Sequence, residues 1–317
     1  MDAVLTALVE EKIGPGEQSR LLIQVAKEKI AFECGIAFRS PVFALQYALK
    51  SLRLEDGAEV VLSGLSPRYY GQVLEDAHLN AVYCDVASFS AVPDPESIEK
   101  VRTKKTACII LHHTLGFVPD TAAILGMGLP VIEDCSDSYG SEYPAPATLS
   151  IIGLEERDML TAGGGAILYA HGKREAAVIR HYEYVAPEYA LPDMNAAMAV
   201  VQIRDHAKNR GKCHDIAARY TQAAMQTRHK RFSGECNDYA FPLIIETGLK
   251  EVKNYIKRHE IAVEDAFSGT AVHAGRALPE QCPEAFSLSL RTILFPLYPR
   301  LSATDVEKIA RVIGTLP

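Results

Sequence analysis

Between Ser40 and about Tyr169, short apolar runs alternate with segments whose apolar residues recur at helical spacing. PVFALQYALKSL has the helical period, and DGAEVVLSGL supplies a turn followed by a buried strand. YYGQVLEDAH predicts a helix, NAVYCDV a strand, DPESIEKVRTKK a helix and TACIILHHTL a strand. DTAAILGMG predicts a helix, LPVIEDCSDSYG a strand ending in polar residues, and GGAILYA a further strand. Helices between short β-rich runs imply crossover connections and a mostly parallel sheet covered on both faces. Ligands of such sheets sit outside the carboxyl ends of the strands. That directs attention to Ser63–Pro67, His112–Gly116, Asp134–Ser138 and Ser150–Ala170.

After about residue 190 the pattern changes. PDMNAAMAVVQIRDHAKNRGKCHDIAARYTQAAM is one long Ala-rich helix with Asp193 in its first turn, where the helix dipole favours an acid. YAFPLIIE predicts a strand, GLKEVKNYIKRH a helix, and a loop rich in Gly and Pro follows. TILFPLYPRLSATDVEKIARVIG predicts a strand and a terminal helix capped by Ser302 or Thr304. The expected division is a large α/β domain over 1–190 and a small C-terminal α+β domain over 191–317. Neither internal repeats nor low-complexity segments interrupt it.

Composition narrows the function. A net charge of −7 argues against general nucleic-acid binding, which needs clustered Lys and Arg; the one basic cluster, RHKRF from Arg228, reads as a solvated loop. The seven cysteines are scattered without C-x-x-C spacing, so neither a disulfide framework nor a cysteine zinc site is expected. The first residues lack the pattern of a signal peptide, and no apolar run approaches the roughly 18 residues of a membrane span. A cytoplasmic protein that binds neither membrane nor nucleic acid is the expectation.

The segments ALQYALKSL…DGAEVVLSG, HTLGFVPD, VIEDCSDSYGSE, TAGGGAILYA, MNAAMAVVQI and LFPLYPRLSATDVEKI, in this order, resemble the DegT/StrS-type sugar aminotransferases over about 44–312. The resemblance implies the aspartate aminotransferase fold and pyridoxal phosphate (PLP) as cofactor. It also implies nucleotide-linked keto sugars as substrates and a homodimer whose two chains line each active site.

Carried over residue by residue, the resemblance places Asp134 as the carboxylate facing the pyridine nitrogen, where an anion keeps the ring protonated and electron-withdrawing. Asp137 falls where the family has glutamine against the ring oxygen, and two anions there repel. His113 matches a histidine or aromatic near the cofactor; with His112 beside it on a strand, at most one of the two faces the site. Pro41 and Val42 stand at the phosphate-binding amides, and proline has no N–H. Tyr69 and Tyr70 are shifted from the stacking aromatic, expected near Pro67. Glu188 replaces an asparagine lent to the phosphate. The Schiff-base lysine position falls at Glu155 or Glu156, with a one-residue insertion before Gly163. A carboxylate accepts protons but forms no imine, and no histidine lies between Ser150 and Ala170 to replace the lysine.

Five parts of one machine are altered together, which reads as a pseudoenzyme: a scaffold, binding or regulatory homologue, homodimeric or paired with an active paralogue, with a sugar as its small-molecule ligand. The alternative is an enzyme on a nucleotide-linked keto sugar that holds PLP, or its amine form PMP, without a covalent bond. A third possibility is acid–base work by Asp134, Asp137 and His113 on a sugar without PLP. A metal held by Asp134, Asp137, His113 and Cys135 mixes hard and soft ligands and is not expected. Gly163–Gly165 reads as a tight turn rather than a phosphate loop, since G-x-G-x-x-G spacing is missing.

Overall fold

The computed structural model describes residues 2–9, 13–140, 146–182, 184–246 and 248–317. In chain order it begins with helices α1 (Asp2–Val9) and α2 (Glu17–Lys29), strand β1 (Cys34–Phe38), α3 (Pro41–Leu52), β2 (Glu59–Ser63) and α4 (Tyr69–Asp76). Then follow β3 (Asn80–Cys84), α5 (Pro95–Val101), β4 (Thr106–His112), α6 (Thr121–Leu125), β5 (Val131–Asp134), β6 (Leu149–Gly153), β7 (Ala166–Ala170) and α7 (Lys173–Arg180). The second half holds α8 (Asp193–Ala224), β8 (Phe241–Ile244), α9 (Leu249–Arg258), β9 (Glu264–Asp265), α10 (Pro283–Arg291), β10 (Thr292–Phe295) and α11 (Ala303–Gly314). None of the described helices is long and apolar enough to cross a membrane.

The helices start where the chemistry of their first residues allows. Ser40 caps α3 by accepting from the Val42 N–H, with Pro41 in the first turn, where its missing N–H costs nothing. Asp94 and Asp120 cap α5 and α6, and Ser302, rather than Thr304, caps α11.

Seven strands form one sheet in the order β1-β7-β6-β5-β4-β2-β3. The run β6-β5-β4-β2-β3 is parallel throughout, while β7 lies antiparallel to both of its neighbours. The expected α/β fold with a large, mostly parallel sheet is the one observed. Side chains alternate across the sheet as strand geometry dictates. Val60, Leu62, Cys108, Ile110, Ile132 and Ile151 pack on one face with α3, α4 and α7. Val61, Ile109, Leu111 and Val131 pack on the other with α5 and α6, and Ile152 and Ile167 with α2 and α8.

A smaller antiparallel sheet, β8-β10-β9, packs with α9 and α11 in the C-terminal part. The chain passes from one core to the other inside α8. Ala196, Ala199, Val200 and Ile203 belong to the core beneath the large sheet, whereas Ile216, Ala217, Tyr220 and Ala224 belong to that of the small sheet. The change, expected at about residue 190, is thus spread along one 32-residue helix. Asp193 does more than favour a dipole: buried, it accepts from the Gly16 N–H (2.8 Å), the Ser19 N–H (2.9 Å) and the Ser19 hydroxyl (3.0 Å), fastening the start of α2 to α8.

Candidate functional site

A cleft of about 1660 Å³ opens at the carboxyl ends of β2, β4 and β5 and over the turn after β6. Its walls are α8 from Val201 to Cys213 and two small-domain segments, 262–270 and 294–300. Its floor carries His112, Thr114, Asp134, Ser136, Asp137, Glu155 and Asp158, with Tyr69 and Tyr239 at the sides.

Asp134 ends β5 on the same face as Ile132 and is buried. Its carboxylate is held by its own chain: Oδ2 accepts from the Tyr70 hydroxyl at 2.5 Å, and Oδ1 accepts from the Ser136 N–H (3.0 Å) and the Ser136 hydroxyl. Tyr70 is buried with it; burial first, then the neighbouring Asp134 charge, raises its phenol well above the ordinary value, so it stays a donor. Arg68 is exposed at the cleft's edge.

Asp137 follows in the loop after β5. Its Oδ2 accepts from the Leu115 N–H at 3.1 Å and lies 3.8 Å from His112 Nε2. Burial, then the facing Asp158 and Asp134, holds its carboxyl well above the usual carboxylate range. His112 is nine-tenths buried, and burial lowers its imidazole to about 4, so the ring is neutral. The Tyr239 hydroxyl reaches the Arg157 carbonyl. Asn237 donates to the Asp137 carbonyl at 3.1 Å, so the segment leading into β8 straps the floor from the side.

The turn after β6 sends Asp158 inward. Its Oδ2 accepts from the Glu155 N–H at 2.7 Å. It presses so closely on the strand that a Cβ at Gly153 would lie 2.1 Å from that oxygen and 2.7 Å from Ser136 Oγ, so only glycine fits there. Burial pushes Asp158 up to about 7, helped by Asp134 and Glu155 and opposed by the Glu155 N–H. Glu155 is half-buried and accepts from the Gly165 N–H at 3.3 Å, while Glu156 and Arg157 are exposed. Gly163, Gly164 and Gly165 all have positive φ (72°, 129°, 122°), a tight turn into β7 that residues with side chains rarely adopt. The lysines lining the cleft are Lys208 and Lys212, both exposed on α8.

Of the residues singled out from sequence, Asp134 and Asp137 come together, and His113 does not join them. It follows Leu111 onto the opposite face, fully buried, with Nδ1 2.5 Å from Ser138 Oγ and Nε2 2.9 Å from Glu133. Thr121 also donates to that Glu133 oxygen at 2.5 Å. His112 is the histidine that faces the cleft. The same alternation divides the four candidate metal ligands. Among the described residues, only His113, Glu133 and Cys135 bring three such atoms within 4.8 Å of one another, behind the sheet, while Asp134 and Asp137 lie in front. Asp158 was hidden in a run of four charged residues; its one sequence signal is its place just before the apolar residues that lead into Gly163. Ser141 and Glu142, which end the motif begun by Asp134, lie outside the described residues.

At the opposite end of the cleft the start of α3 offers little to an anion. Pro41 lines the wall and has no N–H, and the Val42 N–H is taken by Ser40 Oγ at 3.2 Å. Glu188 is exposed and outside the cleft lining of this chain.

The profile of the DegT/DnrJ/EryC1/StrS aminotransferase family matches residues 1–148 and 157–314. The break, 149–156, covers β6 and both glutamates expected at the lysine position. An L-glutamine:2-deoxy-scyllo-inosose aminotransferase of Streptomyces lividus is 29% identical over 182 residues, 54% of this chain and 42% of that protein. The match thus spans less than half the length of that relative. The spore coat polysaccharide biosynthesis protein SpsC of Bacillus subtilis is 26% identical over 92% of this chain and 88% of its own. Among solved structures, an aminotransferase from Psychrobacter cryohalolentis superposes with a TM-score of 0.89 at 17% identity, covering 98% of this chain and 94% of that one.

Proposed function

The chain belongs to the DegT/DnrJ/EryC1/StrS aminotransferase family, and on that premise we propose that it is a member that does not transaminate through a lysine Schiff base and uses its cleft to bind a small polyhydroxylated ring. The observation that carries this reading is the floor itself. Where the family mechanism needs an amine, the turn after β6 supplies Glu155 and Asp158, and the two lysines of the lining stand on the exposed side of α8.

The residues present do not fit pyridoxal phosphate. Both oxygens of Asp134 already have intrachain donors, and Asp137 and Asp158 bring two further carboxyl groups to the same floor. The start of α3 has one N–H missing at Pro41 and another engaged at Val42. No step is routed through that cofactor. What the floor does unaided is move protons: Asp158, pushed up to about 7, exchanges one near neutral pH, and Tyr70 and Ser136 fix Asp134 beside it. A sugar or cyclitol as ligand is supported by the relatives, one named for an inosose and one for a coat polysaccharide. The assembly goes with this reading: two copies, or this chain paired with an active paralogue, where the degenerate member contributes structure or regulation.

One observation favours a second reading. Asp134 remains at the end of β5, buried and in the floor, as an enzyme holding PLP or PMP non-covalently would require. An absorbance titration with each cofactor form, before and after borohydride, separates the two. The first reading expects no visible band and no saturable change. Saturable binding without trapping supports the second, and a borohydride-trapped adduct sinks the first outright, because some lysine then reaches the cofactor.

A further inference from the structure

We infer that the floor of the cleft is built to hold a protonated primary amine, so that the ligand is an aminated ring rather than a neutral or anionic one. The inference rests on the reading of the cleft as a ligand site free of pyridoxal phosphate, and adds the ligand's chemical class.

The floor offers acceptors. His112 is nine-tenths buried, with Nδ1 2.9 Å from Thr114 Oγ1. The Thr114 hydroxyl donates to the His112 carbonyl at 3.4 Å, so in the ring contact Nδ1–H is the donor and Nε2 keeps its lone pair. Among the described residues Nε2 has no hydrogen-bond partner, and Asp137 Oδ2, also in the cleft lining, is 3.8 Å away. The gap is too long for a direct bond and short enough for one donor head to reach both atoms. Asp158 faces Asp137 from the turn after β6.

Two carboxyl groups, which give up their protons to a bound cation, and an imidazole lone pair suit a group with several N–H donors, a positive charge and no acceptor, which describes an alkylammonium. A bare metal ion suits them less. These groups are absent from the described sets that gather three ligand atoms within 4.8 Å, whereas an ammonium on a ring bonds to acceptors spread more widely. Among the described residues no Lys or Arg pairs with these acids, and Lys208 and Lys212 stand exposed on α8. Arg157 is turned out to Glu264 at 2.6 Å, and Arg68 is exposed at the cleft's edge.

Binding is therefore coupled to protons. The groups facing Asp158 are Asp134 from β5, Asp137 from the loop after it, Glu155 on the same turn, Tyr69 from α4 and Tyr239 beside β8. Burial first, then Asp134 and Glu155, favours the protonated Asp158 carboxyl in the free site, against the Glu155 N–H; the two phenols stay neutral. An incoming ammonium displaces that proton to solvent, so affinity rises with pH through about 7.

The test is calorimetry on the full chain with six-carbon amino sugars bearing the amine at C2, C3, C4 or C6, with glucose, N-acetylglucosamine and magnesium chloride as comparators. Runs in phosphate and in imidazole, neither of them a primary amine, count the protons exchanged. The expected result is saturable binding of at least one amino sugar and none of glucose or N-acetylglucosamine, with protons released at about pH 6 and fewer released at about pH 8. Asp158→Asn and Asp137→Asn should each weaken binding roughly tenfold or more, while Glu251→Gln, on the exposed face of α9, leaves it unchanged. Using two floor variants guards against one failing to fold, since Asp158 also holds the Glu155 N–H. Equal binding of glucose and glucosamine, binding without proton release, displacement by magnesium, or no binding by any amino sugar overturns the inference. Those outcomes leave the proposal of no lysine-bound cofactor untouched, which is judged by borohydride trapping alone.

Discussion

Gly153 has no room for a side chain. An alanine there drives its Cβ into Asp158 Oδ2 on one side and Ser136 Oγ on the other, at the end of a fully buried strand. Gly153→Ala is expected to cost about 1–3 kcal/mol, as overpacking of an interior does, measured by urea unfolding. Asp158→Asn should act in the opposite direction, and its effect depends on pH. Because the folded protein raises this carboxyl from its ordinary 3.8 to about 7, its contribution is fully present below about pH 4 and lost as pH rises through 7. The variant should therefore match the parent near pH 4 and exceed it by about 1–3 kcal/mol above pH 8, with the Glu155 N–H still accepted by the amide oxygen. An unchanged difference across that range would show that folding does not shift the Asp158 carboxyl. Legibility at this scale followed parity. The expectation that one of His112 and His113 faces the site followed from strand alternation; which one depends on β4 register, and the register puts His112 with Ile110. Glu155 to Asp158 had no such guide, because a turn obeys no period.

Elements were legible where a period or a cap wrote them. α3, α5 and α11 carry Ser or Asp at the cap and apolar residues at helical spacing. α11 buries Val306, Ile309, Val312 and Ile313 against the small sheet. Ser302→Ala is expected to cost about 1 kcal/mol, and Ser302→Thr to restore most of it, since either hydroxyl accepts from the Asp305 N–H and donates to the Asp305 carboxylate; chemical denaturation reads both. α10 was hidden in the stretch rich in Gly and Pro because its buried face is short, Ala285 and Leu288, and its start is capped from afar: Asp85, at the end of β3, accepts from the Glu284 and Ala285 N–H groups. A cap about 200 residues away in sequence leaves no local signal. β6 was missed for a related reason, being five residues whose partners all come from other segments.

For the molecule as a whole, α8 is the piece that binds its two cores. Its first half is buried beneath the large sheet and its second against the small one. A single cooperative unfolding transition is expected. Asn209→Pro, midway along the helix, should break the connection at a cost of about 3 kcal/mol and split the calorimetric peak into two. A single peak in that variant would place the coupling in the loops between the sheets. The fold as a whole was readable because its signal is spread over several hundred residues. The site was less so, because it is assembled from β4, β5, the turn after β6 and the strap before β8.

The large sheet also acts as a partition. Neighbouring residues at the ends of two central strands point to opposite sides, His112 and Asp134 toward the cleft, His113 and Glu133 toward a sealed brace with Thr121 and Ser138. Exchanges on the ligand side leave the brace and its hydrogen bonds in place. Such a lineage can abandon one reaction and take up another through a series of folded ancestors, with its architecture inherited separately from its trade.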